Sequence, residues 1–279
     1  MTEIKKNLSD WLIASDIDGT INNKARKLVK RNYDAIHRYI DECGGHFTLA
    51  SGRSPDSMRK HYKRLDIADG KAIVINGAGI YDFAKEEMVW SDPLNEHCID
   101  IVRKTVKKFP FLAFQVISDK VVYLFRPTPS ARILAVNAQY PIKYFYNFEK
   151  IPKENWYKVI FTGLPPAMKM TAKFVESLSS TTENLMFSSA WSYEMVNETT
   201  NKGKAVLKLA QMLGVEKDHT AAIGDYFNDY EMLRKVALPA CCGQAPKGMK
   251  EICKFVACHC NQGAVADLIE YIIKNHSNF

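Results

Sequence analysis

Residues 11–20, with the sequence Trp-Leu-Ile-Ala-Ser-Asp-Ile-Asp-Gly-Thr, constrain the fold of this chain more than any other stretch. The first part of the stretch is apolar without alternation, which is typical of a parallel strand that is buried on both faces. Asp16 and Asp18 end this run two residues apart, so on an extended chain their side chains point the same way. The plainer alternative is a strand that ends in an Asp-Gly turn.

The two carboxylates predict a polar site at the end of this strand. Ligands of an open α/β sheet lie beyond the carboxyl ends of its strands. Two like charges so close together need a cation, a shared proton or both. Gly19 allows the backbone to turn tightly beside a ligand, and Thr20 adds a hydroxyl and a backbone N–H.

A second predicted strand ends in a small hydroxyl residue. Residues 24–43 carry apolar side chains at helical spacing, and Gly44-Gly45 stops that helix. Residues 46–50 are apolar and run into Ser51-Gly52-Arg53. A hydroxyl at such a strand end is a candidate ligand for phosphate oxygens, although these three residues taken alone are an ordinary turn.

A third apolar stretch, residues 72–75, runs into Asn76-Gly77. The glycines that follow lack the G-x-G-x-x-G spacing, so a dinucleotide-binding fingerprint is not supported. Strands that alternate with helices in this part of the chain predict an α/β fold with a doubly wound, mostly parallel sheet.

The middle of the chain has a different pattern of predicted elements, in which hairpins and helices mix. This block has about 100 residues, a length that suits a domain of its own. Because predicted strands and helices alternate again after this block, we predict an inserted α+β domain over residues 91–195. Residues 1–90 and 196–279 would then be the first and second parts of one core domain.

The returning α/β part supplies a lysine and further carboxylates. Lys202 opens a strongly periodic helix that Gly214 ends. Residues 220–223 predict a strand that runs into residues 224–229, Gly-Asp-Tyr-Phe-Asn-Asp. Taken alone, these are a surface lysine and a loop with a helix cap. Together with the first strand end they offer oxygen ligands suited to Mg²⁺ and a positive charge for an anion.

The charge balance and composition narrow the partners. Lys and Arg number 38 and Asp and Glu 31, a net charge of +7 that suits an anionic substrate. The basic residues are scattered, so we expect no nucleic-acid partner. No secretion signal or span of sufficient length stands out, so we expect a cytoplasmic protein without a membrane partner. The oligomeric state is left open.

Seven cysteines occur, five of them between Cys241 and Cys260. A zinc site built from Cys253, Cys258, His259 and Cys260 lacks the usual C-x₂₋₄-C spacing. We therefore expect free thiols in a reducing compartment.

The four motifs, in this order, resemble those of the haloacid dehalogenase superfamily. They are Asp16-Ile17-Asp18-Gly19-Thr20, Ser51-Gly52-Arg53, Lys202-Gly203 and Gly224-Asp225-x-x-Asn228-Asp229. The chain is most similar to the Cof-type phosphatases, which carry a large α/β cap of type IIB between the second and third motifs. The resemblance implies that the inserted domain is such a cap. Residues 240–245 depart from the Met-Gly-Asn-Ala-like stretch common in these proteins, so the resemblance does not by itself imply a contact from that loop.

The resemblance also implies a role for each motif residue. Asp16 would be the nucleophile that forms an aspartyl-phosphate, and Asp18 would act as general acid and base. Ser51 and Lys202 would bind the transferring phosphoryl group. Mg²⁺ would be held by the Asp16 carboxylate, the Asp18 backbone carbonyl and Asp225. Asn228 and Asp229 would belong to the coordination shell of the metal. The contacts with phosphate or substrate would come from Gly19, Thr20, Gly52, Arg53, Asn76 and Asn228.

The function predicted on this basis is a Mg²⁺-dependent phosphatase. Its substrate would be a phosphomonoester of a small metabolite, a sugar phosphate or similar. One alternative is a phosphomutase of the phosphomannomutase type, whose core and cap look alike. Another is a non-catalytic binding protein, suggested by the positive charge. Trp156, Tyr157, Trp191 and Tyr193 of the inserted domain would either line a substrate pocket or pack in its core.

Overall fold

The computed structural model of the protein describes residues 7–67, 70–137, 140–180 and 183–275. The chain divides into two units. The first comprises Met1–Gly52, His61–Glu87 and Asn201–Phe279, and the second comprises Arg53–Lys60 and Met88–Thr200.

Strands and helices alternate in the first unit, and strands predominate in the second. The strands of the described residues are β1 (Leu12–Ser15), β2 (His46–Leu49), β3 (Lys71–Val74), β4 (Gly79–Asp82), β5 (Glu87–Ser91), β6 (Ala113–Ile117), β7 (Val122–Phe125), β8 (Ile142–Phe145), β9 (Lys158–Thr162), β10 (Glu183–Ser189), β11 (Ser192–Asn197), β12 (Thr220–Gly224), β13 (Leu238–Cys241) and β14 (Phe255–Val256). The α-helices are α1 (Lys30–His37), α2 (Pro55–Leu65), α3 (Glu96–Lys108), α4 (Pro129–Asn137), α5 (Pro165–Leu178), α6 (Lys202–Leu213), α7 (Tyr230–Lys235), α8 (Lys247–Lys250) and α9 (Ala264–Asn275).

A five-stranded parallel sheet forms the centre of the first unit, in the order β14-β13-β12-β1-β2. All four residues of β1 are buried, which confirms the predicted strand that is apolar on both faces. Ser15 is in register with Leu49 of β2 and with Ile223 of β12. The carboxyl ends of these three strands therefore meet at one edge of the sheet, and the polar residues that follow them are brought together there.

The structure differs from the sequence-based expectation at three elements. The helix expected from residue 24 begins at Lys30, because residues 23–27 form a turn in which Arg26 has a φ of +57°. The helix then continues as a π-helix over Arg38–Glu42. Strands β8 and β13 were not predicted, and in β13 Pro239 masks the signal because proline weakens a strand pattern.

The second unit is built on a six-stranded sheet, in the order β10-β11-β9-β6-β7-β8. Its neighbours pair antiparallel except for β7 and β8. A buried cluster that includes Trp156 and Tyr193 fills the core between this sheet and its helices. The side chains of Trp156 and Tyr193 therefore pack in the core of the unit, whereas the side chain of Trp191 is half exposed. The domain boundaries at residues 91 and 195 stay a prediction.

Two further features concern the whole described chain. Within the described ranges, no helix combines the length and the apolarity that crossing a bilayer requires. The seven cysteines are free thiols, of which Cys253 and Cys258 are partly exposed.

Candidate active site

The site begins where β1 and β12 end side by side. The Asp16 N–H donates to the carbonyl of Ile223 at 3.0 Å, which extends the pairing of the two strands by one residue. Asp225 follows β12 directly. Gly19 has a φ of +79°, and a Cβ placed on it would lie 2.3 Å from Asp225 Oδ2. Only glycine therefore allows the turn after Asp18 to pass so close to this carboxylate.

Lys202 reaches the same place from the start of α6. The side chain of Asn201 caps this helix by accepting from the Lys204 N–H at 2.8 Å. A Cβ on Gly77, whose φ is +94°, would lie 2.3 Å from the Asn201 carbonyl oxygen. The glycine after β3 thus makes room for the first turn of the helix that carries Lys202.

Lys202 is bonded to two carboxylates inside the protein. Its Nζ donates to Asp16 Oδ1 and to Asp229 Oδ1, both at 2.6 Å. Relative exposure is 3% for Lys202, 6% for Asp16 and 0% for Asp229. An ion pair removed from water to this degree depends on each of its partners, because loss of one leaves a buried charge unpaired.

A third carboxylate joins the pair. Oxygen atoms of Asp16, Asp225 and Asp229 lie within 4.8 Å of one another. Asp229 also accepts the Asp225 N–H on Oδ2 at 3.2 Å. A Cβ on Gly224 would lie 2.4 Å from Asp229 Oδ2, so this glycine allows the carboxylate to fold back against the end of β12.

Burial and neighbouring charges shift the pKa values of these groups. Burial raises the pKa of Asp16 to about 6, although Lys202 opposes the rise. The negative charge of Asp229 raises this pKa as well. Burial and the charge of Asp16 raise the pKa of Asp225 to about 6. Burial also raises the pKa of Asp229. Burial alone would lower the pKa of Lys202, but the two carboxylates raise it above its ordinary value.

This group of residues fits a divalent cation. Three carboxylates face one lysine, and oxygen ligands of this kind suit hard cations such as Mg²⁺. A cation would offset the negative charge that burial makes costly, and this cost is also the reason the pKa values of all three carboxylates are raised.

Ser51, Gly52 and Asn76 meet beside the end of β2. The Ser51 N–H donates to the Ile73 carbonyl and the Asn76 N–H donates to the Ser51 carbonyl, both at 3.0 Å. The Ser51 amide is therefore engaged, and its hydroxyl is the group that remains for a ligand. A Cβ on Gly52 would lie 2.7 Å from Asn76 Oδ1, so glycine lets this side chain lie against the turn.

The remaining predicted residues take different positions. Asp18 is exposed and its carboxylate is outside the group of three, although its charge adds to the effect of burial on the pKa of Asp16. Asn228 is exposed and donates to Asp229 Oδ1 at 3.3 Å. Thr20 is fully buried, and its N–H donates to the Ile17 carbonyl at 3.4 Å. Arg53 belongs to the second unit, where it donates to Ser57 Oγ at 3.5 Å.

Gln244 is a residue of the site that the four motifs do not indicate. Its Nε2 donates to the Gly19 carbonyl at 2.6 Å, and its Oε1 accepts the Cys260 N–H at 3.0 Å. The resemblance did not by itself imply a contact from the loop of residues 240–245, and the structure shows one there. The available signal was the Gly243-Gln244-Ala245 sequence, in which glutamine stands at the position of the asparagine of related loops.

The family model for haloacid dehalogenase-like hydrolases matches residues 13–269, a range that contains the whole site. The chain belongs to this family. The resemblance that the four motifs indicated is thereby confirmed, and the chain is a hydrolase of the haloacid dehalogenase superfamily.

Relatives of this family member include proteins with phosphatase names. Phosphoglycolate phosphatase 1 of Saccharolobus solfataricus is 24% identical over 266 residues, which cover 94% of this chain and 96% of the relative. The crystal structure of TM0651 from Thermotoga maritima has a TM-score of 0.83 at 21% identity, covering 94% of this chain and 97% of that one. The subclass IIB sugar phosphatase BT4131 has a TM-score of 0.71 at 15% identity, covering 94% and 98%. The structural likenesses confirm the predicted α/β fold.

Proposed function

We propose that this phosphatase is a Mg²⁺-dependent phosphomonoesterase that acts on a small phosphorylated metabolite through an aspartyl-phosphate. The observation that carries the proposal is the buried contact of Lys202 with Asp16 and Asp229, beside Asp225. Asp16 is held by a buried lysine and lies beside further carboxylates. These surroundings suit a nucleophile, because the cation and the phosphoryl group can then bind in the same site.

The proposed ligands of Mg²⁺ are the carboxylates of Asp16 and Asp225 and the backbone carbonyl of Asp18. Asp229 and Asn228 would complete the shell around them. When bound, Mg²⁺ would neutralise charge on the phosphoryl oxygens and so favour attack by an anion. Lys202 and the Ser51 hydroxyl would bind the same oxygens and orient the phosphoryl group.

In the first step a carboxylate oxygen of Asp16 attacks phosphorus, and the bond from phosphorus to the ester oxygen breaks. Asp18 donates its proton to that leaving oxygen, which departs as an alcohol. In the second step Asp18 takes a proton from water, whose oxygen attacks phosphorus. The bond between phosphorus and Asp16 breaks, and inorganic phosphate is released. The exposure of Asp18 suits this role, because its carboxylate has to reach both the leaving group and water.

Two observations support the proposed class of substrate. The net charge of +7 favours an anionic substrate by electrostatic steering. A structure of the same fold is that of a sugar phosphatase, which supports sugar phosphates as the first compounds to screen. The cytoplasmic location stays a prediction.

The test of the proposed function is Asp16→Asn. We expect it to reduce phosphate release from p-nitrophenyl phosphate in the presence of Mg²⁺ by about 10⁴-fold or more, since an amide cannot form the intermediate. Asp34→Asn, at an exposed aspartate of α1, is the matched control and should keep the wild-type rate. Activity retained by Asp16→Asn would refute the nucleophile.

The phosphomutase alternative requires a separate measurement. A hydrolase releases one phosphate for each substrate consumed and needs no bisphosphate activator. Transfer of phosphate within a hexose phosphate, dependent on a bisphosphate, would favour the mutase instead.

A further inference from the structure

Gln244 connects segments that are far apart in the sequence. It lies three residues after the end of β13 and is half-buried. Its Nε2 donates to the Gly19 carbonyl at 2.6 Å, and its Oε1 accepts the Cys260 N–H at 3.0 Å. One side chain therefore joins the turn after β1 to the segment before α9.

The chemistry of these contacts requires a primary amide. An amide group offers N–H donors and a carbonyl acceptor together, and here a donor and the acceptor are used. A glutamate would have no donor for the Gly19 carbonyl. A methionine would fill a similar volume without either hydrogen bond.

The contact with Gly19 lies where the site has the least room for an additional atom. Gly19 and Asp225 are so close that a Cβ on the glycine would lie 2.3 Å from Asp225 Oδ2. A donor that bonds to the Gly19 carbonyl fixes one side of this contact, and so fixes the turn after Asp18 against the Asp225 carboxylate. Partners that orient metal-binding carboxylates in this way contribute to the affinity of the site, although they do not touch the metal.

We infer that Gln244 is a positioning residue, which holds the Asp18-Gly19 turn against the Asp225 carboxylate so that a divalent cation can bind between Asp225 and Asp16. The inference rests on the proposed function, because it assumes that this carboxylate is a metal ligand. Gln244 itself contacts neither phosphate nor metal.

The test compares Gln244→Met and Gln244→Glu with the wild-type full chain. Calorimetric titration of the metal-free protein with Mg²⁺ alone gives the affinity without any need for turnover. We expect Gln244→Met to raise the Kd for Mg²⁺ by about 10- to 100-fold, the range found when such supporting residues are changed. Gln244→Glu should be at least as weak, since it lacks the donor and adds a charge beside Asp225. Gln211→Met, at an exposed glutamine of α6, is the control and should keep the wild-type Kd.

Phosphatase kinetics provide the second measurement. Activity of the variants should be recovered by raising Mg²⁺, which a general loss of folding would not allow. Wild-type Kd in Gln244→Met or in Gln244→Glu would overturn the inference. Loss of the cooperative thermal transition in both variants would also overturn it, because Gln244 would then be structural. If wild type itself binds no Mg²⁺, the proposed metal site fails, and this inference fails with it; wild-type binding with unchanged variants refutes the role of Gln244 alone.

Discussion

Lys202→Met removes the cation that pairs with both Asp16 and Asp229. The methionine keeps most of the apolar stem of the lysine, so the change is mainly one of charge. Both carboxylates are at least nine-tenths buried and would be left without their partner at 2.6 Å. Breaking a buried ion pair by removing one member costs about 3–5 kcal/mol. For a chain of this size the loss corresponds to a decrease in Tm of roughly 6–20 °C.

The assay is thermal unfolding of the metal-free protein with chelator at neutral pH. Lys208→Met, at a lysine further along α6, is the matched control and should change the free energy of unfolding by no more than about 0.5 kcal/mol. Combining Lys202→Met with Asp229→Asn should cost less than the sum of the two single changes, by about 1 kcal/mol or more, because the second change removes one of the unpaired charges. A Tm of Lys202→Met within 1 °C of wild type, as for a change of well under ~1 kcal/mol, would refute the argument.

Two other perturbations test the backbone of the site and the acid stability of the first unit. Gly19→Ala should reduce kcat by about a hundredfold, because its Cβ would displace Asp225; Gly214→Ala, whose φ is also positive but whose Cβ would meet nothing within 4 Å, should keep the wild-type kcat. An unchanged rate in Gly19→Ala would contradict the expected clash. Burial alone would raise the pKa of Asp82, but Lys71 at 3.0 Å and two backbone N–H donors lower it. A lowered folded-state pKa stabilises the protein above the unfolded value of about 4, and this contribution is lost as pH falls through the folded pKa. Urea unfolding between pH 6 and pH 2.5 should therefore show a smaller acid loss in Asp82→Asn than in wild type, and equal losses would exclude the effect.

The sequence determined the strand ends and their chemistry. A run that is apolar on both faces can be stable only inside a sheet, so residues 11–15 specify a central strand without any knowledge of its neighbours. The period of two along such a strand and the turn at Gly19 then place Asp16 at the carboxyl edge. The order of the four motifs was enough to predict the fold and the family, since each residue type is set by the chemistry it performs.

Local pattern could not determine which atoms meet. Proline in β13 and the turn at Arg26 obscured the boundaries of their elements, because tertiary pairing outweighs weak local preferences there. That Lys202 is bonded to Asp16 and Asp229 together, while Asp18 stays exposed, depends on how α6 packs against α7 and the strands β3 and β4.

Gln244 shows the same limit most clearly. Its partners Gly19 and Cys260 are 225 and 16 residues away, and nothing in the local pattern of residues 240–245 indicates either of them. Periodicity and motifs report short-range constraints along the chain, whereas a hydrogen bond between loops exists only after the sheet has aligned the ends of its strands. The sequence therefore determined which groups the site contains, and the tertiary structure decided how they are paired, buried and charged.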